Sequence, residues 1–235
     1  MKTLTIRLSS PLQSYGSEAT FGRRMTGDYP SKSAVIGMIA AAMGYGRGDH
    51  RVLGLNDLDF AVRVDQPGKI LTDFQIVEWK PDARKVTYRD YLQDAVFVVA
   101  IGSDDETIRE IKTALRRPYY PIFLGRRSNI PTGVLQLQEF ADDNPVSVLQ
   151  KLDWQASSWY QRRLKKKESI SVEIIADAKL LPDKRDRLVK DRVVSFDQRK
   201  RQHGFRAVAT MSVSLKNPEF KGNETETQHD IVDFL

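Results

Sequence analysis

The sequence contains no cysteine and only three histidines in 235 residues. Without thiols the chain forms no disulfide, thiolate metal site, iron–sulfur cluster or cysteine nucleophile. His50, His203 and His229 are too scattered to suggest a metal cluster, so no metal and no other cofactor is expected. His50 beside Asp49, and His203 between Arg201 and Gly204, fit polar loop positions better than catalytic ones. The phosphate-binding pattern G-x-x-x-x-G-K-[ST] and the zinc pattern H-E-x-x-H are both missing. Gly44-Tyr-Gly-Arg-Gly48 follows a helical pattern rather than a strand, so it does not fit a dinucleotide turn. The longest apolar stretch, Ala34–Met43, is interrupted by Gly37 and falls short of the ~18–20 residues of a membrane span. Met1-Lys-Thr leads straight into an alternating apolar run, so no secretory leader is expected and the cytoplasm is the expected location.

Charge is present in excess of one sign, but locally. Lys and Arg number 37 against 31 Asp and Glu, a net charge of +6. Residues 1–150 hold 19 basic and 18 acidic side chains, residues 151–206 hold 16 and 8, and residues 207–235 hold 2 and 5. The middle segment suits a polyanion through its positive field. It equally suits a solvated surface, which is what charge runs more often are.

Leu4, Ile6 and Leu8 alternate with polar residues as a strand over Thr3–Ser9. The irregular stretch Ser10–Tyr29 is long enough for a binding loop. Ser31 is placed to cap a helix whose stripe is Val35, Ile36, Ile39, Ala40 and Met43, ended by Gly44. An apolar turn near Val52–Leu55 precedes a second strand over Leu58–Asp65. Lys69–Trp79 and Asp94–Ile101 are expected as one long hairpin projecting beyond the sheet, with polar Ala83–Arg89 between them. Ser103-Asp-Asp-Glu106 matches a capping box with Ser103 at the cap, opening a helix with Ile108, Ile111 and Leu115 inward and stopping before Pro118. Val134–Phe140 fits another strand, and Asn144-Pro145 opens a short helix to Leu152.

Without its insertions, the order over residues 3–140 is βαββαβ, the ferredoxin-like arrangement shared with RNA-recognition modules. The expected class is therefore α+β, with a ferredoxin-like domain over 1–149. A small basic β-rich subdomain follows over 150–216, with strands at Ser169–Ile175, Val193–Phe196 and Phe205–Leu215. Residues 217–235 are expected as a loosely held acidic tail.

Leu124-Gly125-Arg126-Arg127-Ser128 carries the clearest chemistry. Glycine lets successive N–H groups face an anion, two guanidinium forks match phosphate, and serine adds a hydroxyl. The same five residues also describe a turn with two solvent-facing arginines. Tyr119, Tyr120 and Phe123 stand alongside, and aromatics beside arginines are what unstacked bases rest on, although they are equally ordinary core beside a strand.

Several separate segments together carry a family resemblance. Ser10-Pro-Leu-Gln-Ser-Tyr-Gly16, Arg24-Met-Thr-Gly27, Tyr29-Pro-Ser-Lys-Ser33, Arg89-Asp-Tyr-Leu-Gln-Asp-Ala95 and Tyr120-Pro-Ile-Phe-Leu-Gly-Arg-Arg-Ser128 closely resemble, in collinear order, the CasD family of type I-E CRISPR Cascade subunits. That family lies within the repeat-associated RAMP superfamily. The resemblance covers roughly residues 1–135, and little can be matched beyond about Gln150. It implies a thumb-like hairpin at about 75–89 and a grip on the 5′ handle of a CRISPR RNA. The implied neighbours are a backbone subunit whose filament the chain caps, a large subunit that reads the PAM, and target DNA near the PAM. It assigns RNA contacts to Gln13, Arg24, Ser31, Lys32, Ser33, Arg89, Tyr120, Leu124, Gly125, Arg126, Arg127 and Ser128. Some RAMP proteins of another subtype cleave precursor RNA, but the segment before the Gly-rich loop offers Tyr119 and Tyr120 and no histidine. A non-catalytic subunit is expected, with a metal-independent endoribonuclease using a tyrosine, His50 or His203 as the competing possibility.

Overall fold

The structure is a computed structural model that describes residues 1–16 and 22–222. It is a mixed α+β molecule with mostly antiparallel sheets. The first strand, β1 (Lys2–Ser9), lies between β7 (Val96–Ser103) and β8 (Gln136–Ala141), antiparallel to both; β4 (Asp59–Gln66) pairs with the far side of β7. Helix α1 (Lys32–Ala42) lies between β1 and β4 in the chain, and α3 (Asp105–Arg116) between β7 and β8. Leu4, Ile6, Leu8, Phe97 and Val99 pack against Val35, Ile36 and Ile39 of α1 and Ile108, Ile111 and Leu115 of α3. On the other face, Val98, Ala100 and Ala61 pack against Val146 and Leu149 of α4 (Pro145–Lys151). Burial on both faces is why β7 is an unbroken apolar run.

Helix α1 starts where its sequence predicts, with Ser31 capping the amide of Ala34. The expected cap of α3 is off by one: Asp104, not Ser103, accepts from the amide of Thr107. Its carboxylate serves better than the hydroxyl at the positive end of the helix, and its pKa falls to about 2 because it accepts from the backbone and side chain of Thr107. The apolar turn after His50 is a short helix, α2 (Arg51–Gly54), followed by a turn over Leu55–Asp57.

The expected hairpin pairs differently. β5 (Lys69–Lys80) is antiparallel to β6 (Ala83–Gln93), closed around Pro81-Asp82 with Asp82 at φ 60°, and Asp94–Ile101 belongs to the main sheet. The polar stretch Ala83–Arg89 is thus a strand. Its outer part is exposed on both faces, which removes the alternation that marks a strand. The loop after β1 contributes β2 (Leu12–Gln13) and β3 (Arg23–Arg24), both joined to β6.

The segment beyond residue 150 adds α5 (Ser158–Arg163), β9 (Ser169–Asp177), β10 (Asp186–Ser195) and β11 (Gln202–Lys216). β9 pairs with β4, with Val62 opposite Ile175, so these strands extend the main sheet to seven in the order β10-β11-β9-β4-β7-β1-β8. Two buried charge networks tie the segments together. Arg63, fully buried, pairs with Asp65 and donates to the carbonyls of Leu149, Leu152 and Asp153. Arg206 bridges Asp177 and Asp191, while Lys32 donates to Asp177 and to the Leu58 carbonyl. Of the expected tail, Asn217 is buried and donates to the carbonyls of Gln161 and Leu164; residues 223–235 lie outside the described residues. No helix among the described residues is long and apolar enough to cross a membrane.

Candidate nucleic-acid interface

The amides of Tyr119 and Tyr120 donate to the carbonyls of Ala42 and Ala41 and so complete the C-terminal end of α1. Both rings stay exposed, edge to face with centroids 4.7 Å apart. The chain then dips inward at buried Leu124. Its amide donates to the Asn129 carbonyl at 2.7 Å, its carbonyl accepts from the amide of Ser14, and Asn129 closes the loop by donating to the Arg126 carbonyl at 2.8 Å. Gly125 sits at φ 90°, and a Cβ there would lie 1.6 Å from the Ser14 carbonyl oxygen, so the approach of the two backbones requires glycine. Among the described residues, the four successive amides of Gly125, Arg126, Arg127 and Ser128 donate to no group. Successive N–H groups without partners in a turn are the backbone feature that anion cradles are made from.

The guanidinium of Arg126 sits over the ring of Tyr91, its central carbon 4.3 Å from the centroid, and donates to the carbonyl of Arg24 at 3.0 Å. Its second guanidinium nitrogen is buried and unpartnered, as is Nε of Arg89. Parallel pairing of β3 with β6 sets Arg24 opposite Arg89. Arg23 pairs with Asp90 at 3.1 Å; that bond and one from Thr72 hold the Asp90 carboxyl below the usual carboxylate range. Arg127 is exposed, and the Ser128 hydroxyl donates to the Asn129 side chain. The cradle is therefore ringed by arginines, with Asp90 as the nearby acid that balances Arg23.

The structure brings together Arg24, Arg89, Gly125, Arg126, Arg127 and Ser128. Three other residues expected at the contact have side chains engaged inside the fold. Gln13 is fully buried, donating to the Ala95 carbonyl and accepting from the Tyr15 hydroxyl, so both ends of its amide are used inside the fold. Leu124 is interior and anchors the loop. Lys32 is buried against Asp177, its pKa lowered by desolvation, which the facing carboxylate opposes. The N-terminus of α1, an anion site by its dipole, is already occupied: the amide of Lys32 donates to Asp191 at 2.9 Å. Ser31 and Ser33 share a hydrogen bond at that end, while Tyr120 is at the opposite end, about 16 Å away at 1.5 Å per residue. Tyr91, Asn129 and Ser14 were not legible as site residues. Tyr91 lies in the Arg89–Ala95 segment, and its place one residue past Asp90 in a strand was the available signal.

The family is shown by comparison with known proteins. A family model described as CRISPR-associated protein (Cas_Cas5) matches residues 3–209, and the chain belongs to that family. The CRISPR system Cascade subunit CasD of Escherichia coli (strain K12) is 32% identical over 148 residues, a match spanning 53% of this chain and 65% of that protein. Among solved structures, a chain of a CRISPR RNA-guided surveillance complex is 29% identical with a TM-score of 0.75, covering 99% of this chain and 98% of its own. A second, the crystal structure of a Cas protein, is 29% identical with a TM-score of 0.68 and covers 93% and 97%.

Proposed function

We propose that the chain is a non-catalytic, cytoplasmic subunit of a Cascade-type CRISPR RNA-guided surveillance complex, and that it binds the 5′ handle of the CRISPR RNA at the Gly125–Ser128 cradle. The observation that carries this is the run of four free amides ringed by Arg24, Arg89, Arg126 and Arg127. Phosphates take the amides and forks, and the exposed rings of Tyr119 and Tyr120 offer a stacking platform for bases. The antiparallel order β4-β7-β1-β8, with α1 and α3 as crossovers, supports a ferredoxin-like core. The β5–β6 hairpin is the proposed thumb. Phe74, Ile76 and Trp79 on it are 64%, 62% and 63% exposed, an apolar surface suited to a protein neighbour. Its neighbour is the backbone subunit whose filament the chain caps, and the large PAM-reading subunit and target DNA take the remaining surface.

Binding of a fluorescent single-stranded RNA bearing the repeat-derived 5′ segment, measured across salt concentration, tests the cradle. Removing one side chain that neutralises a phosphate lowers the salt slope by about 0.7, so the double variant Arg126→Ala/Arg127→Ala should show a shallower slope than one with Lys165 and Lys166 replaced. An unchanged slope removes these arginines from the phosphate site. Repeat RNA incubated with the protein in EDTA should stay intact; site-specific cleavage that disappears in a histidine or tyrosine variant would overturn the non-catalytic assignment.

A further inference from the structure

A cavity of about 130 Å³ opens between the end of β1 and the start of α5. Asp94 is the one charged residue among those that line it; the hydroxyl-bearing Ser9, Ser10, Thr132 and Ser157 line it too, and Trp159 forms part of the wall. Among the described residues, the Asp94 carboxylate makes no ion pair or hydrogen bond, and the four hydroxyls make no hydrogen bond. The walls are nevertheless fixed. Thr132 donates its amide to the Ser9 carbonyl at 2.8 Å, Asp94 donates its amide to the Pro11 carbonyl at 3.1 Å, and Gln66 bridges the Asp94 carbonyl and the Ser157 amide. Asp94 is held at φ 56°, a conformation that Asp and Asn tolerate better than other side chains. Trp159 is 47% exposed and braced edge-on by Tyr160 at 5.6 Å.

We infer that this cavity receives an arginine side chain from a partner protein. A free carboxylate, a set of hydroxyl acceptors and an indole face match a planar cation with five donors. A nucleotide fits poorly, because its phosphate would approach Asp94 with no Lys or Arg in the lining to neutralise it. No residue of this sequence is placed to supply the cation: no described Lys or Arg pairs with Asp94, and residues 17–21 and 223–235, outside the described part, contain neither arginine nor lysine. The inference is independent of the RNA cradle, so either can fail alone.

The test is titration of Nα-acetyl-arginine amide into the full chain, following the part of the tryptophan fluorescence that Trp159→Phe abolishes. A saturable response is expected, at least about tenfold weaker for the citrulline analogue, which keeps the shape without the charge. Asp94→Asn, which tolerates the same backbone conformation, should weaken it by a similar factor at an unchanged melting temperature. No saturable response, equal binding of citrulline, indifference to Asp94→Asn, or displacement of the arginine amide by guanosine monophosphate would each overturn the inference.

Discussion

At Gly125, two backbones meet so closely that a methyl group has nowhere to go. The missing space and the positive φ act together, and strained positions of this kind cost on the order of 1–3 kcal/mol before any clash is counted. Gly125→Ala is therefore expected to lower the unfolding free energy by at least that much, read as a fall in the urea midpoint at unchanged slope, and to weaken RNA binding; a midpoint within error of the parent would show that the loop can relax. His203 is half-buried, edge-on to Phe196, and its pKa is lowered by burial and then by Arg201, with Asp191 opposing. The unfolded chain takes up the proton more readily below about pH 6.5. Stability present above that pH is thus lost as the pH falls through it, and His203→Gln should flatten the fall in melting temperature between pH 7.5 and 5.5. Parallel curves for the two proteins would exclude His203 as the source. Gly125, Arg126 and Arg127 could be singled out locally because they stand together in five residues, although the same residues also describe a solvent-facing turn. The burial of Lys32 was not, because its counter-charge Asp177 stands 145 positions away, beyond the reach of any local pattern.

Among the elements, the β5–β6 hairpin contributes exposed residues along its outer half and little to the cores. Replacing Trp79–Thr87 by a short turn should leave the unfolding free energy within about 0.5 kcal/mol, as surface changes do, while reducing co-purification with the backbone subunit. Loss of the folded state would make the hairpin part of the core instead. Elements with a buried face, such as α1 and α3, could be read directly, since burial on one side writes a period into the sequence, and β7 could be read from its unbroken apolar run. β6 could not, because half of it faces water on both sides, and its true partner was obscured by the stronger apolar signal of Asp94–Ile101.

For the whole molecule, the expected boundary at residue 150 meets a sheet that crosses it without a break. Arg206→Met would leave the buried carboxylates of Asp177 and Asp191 without their shared guanidinium, held by Lys32 and the amide of Phe60. Removing one partner of such a network costs about 3–5 kcal/mol, and urea unfolding should register a loss of that size. A loss below about 1 kcal/mol would mean that water reaches the network. The local strands at Ser169–Ile175 and Phe205–Leu215 were legible, but their attachment to β4 was not, because pairing between distant strands leaves no mark on either one.

The hydrogen bond from Lys32 to Asp191 spans 159 positions, and this has a consequence for synthesis. At the ribosomal rate of 5–20 residues per second, the first helix waits roughly 10–30 s for the residue that answers its positive end. Over the same interval the β4 edge lacks β9 and is open to another strand. The nascent chain is most exposed to mispairing during that wait, and it ends when the last three strands emerge.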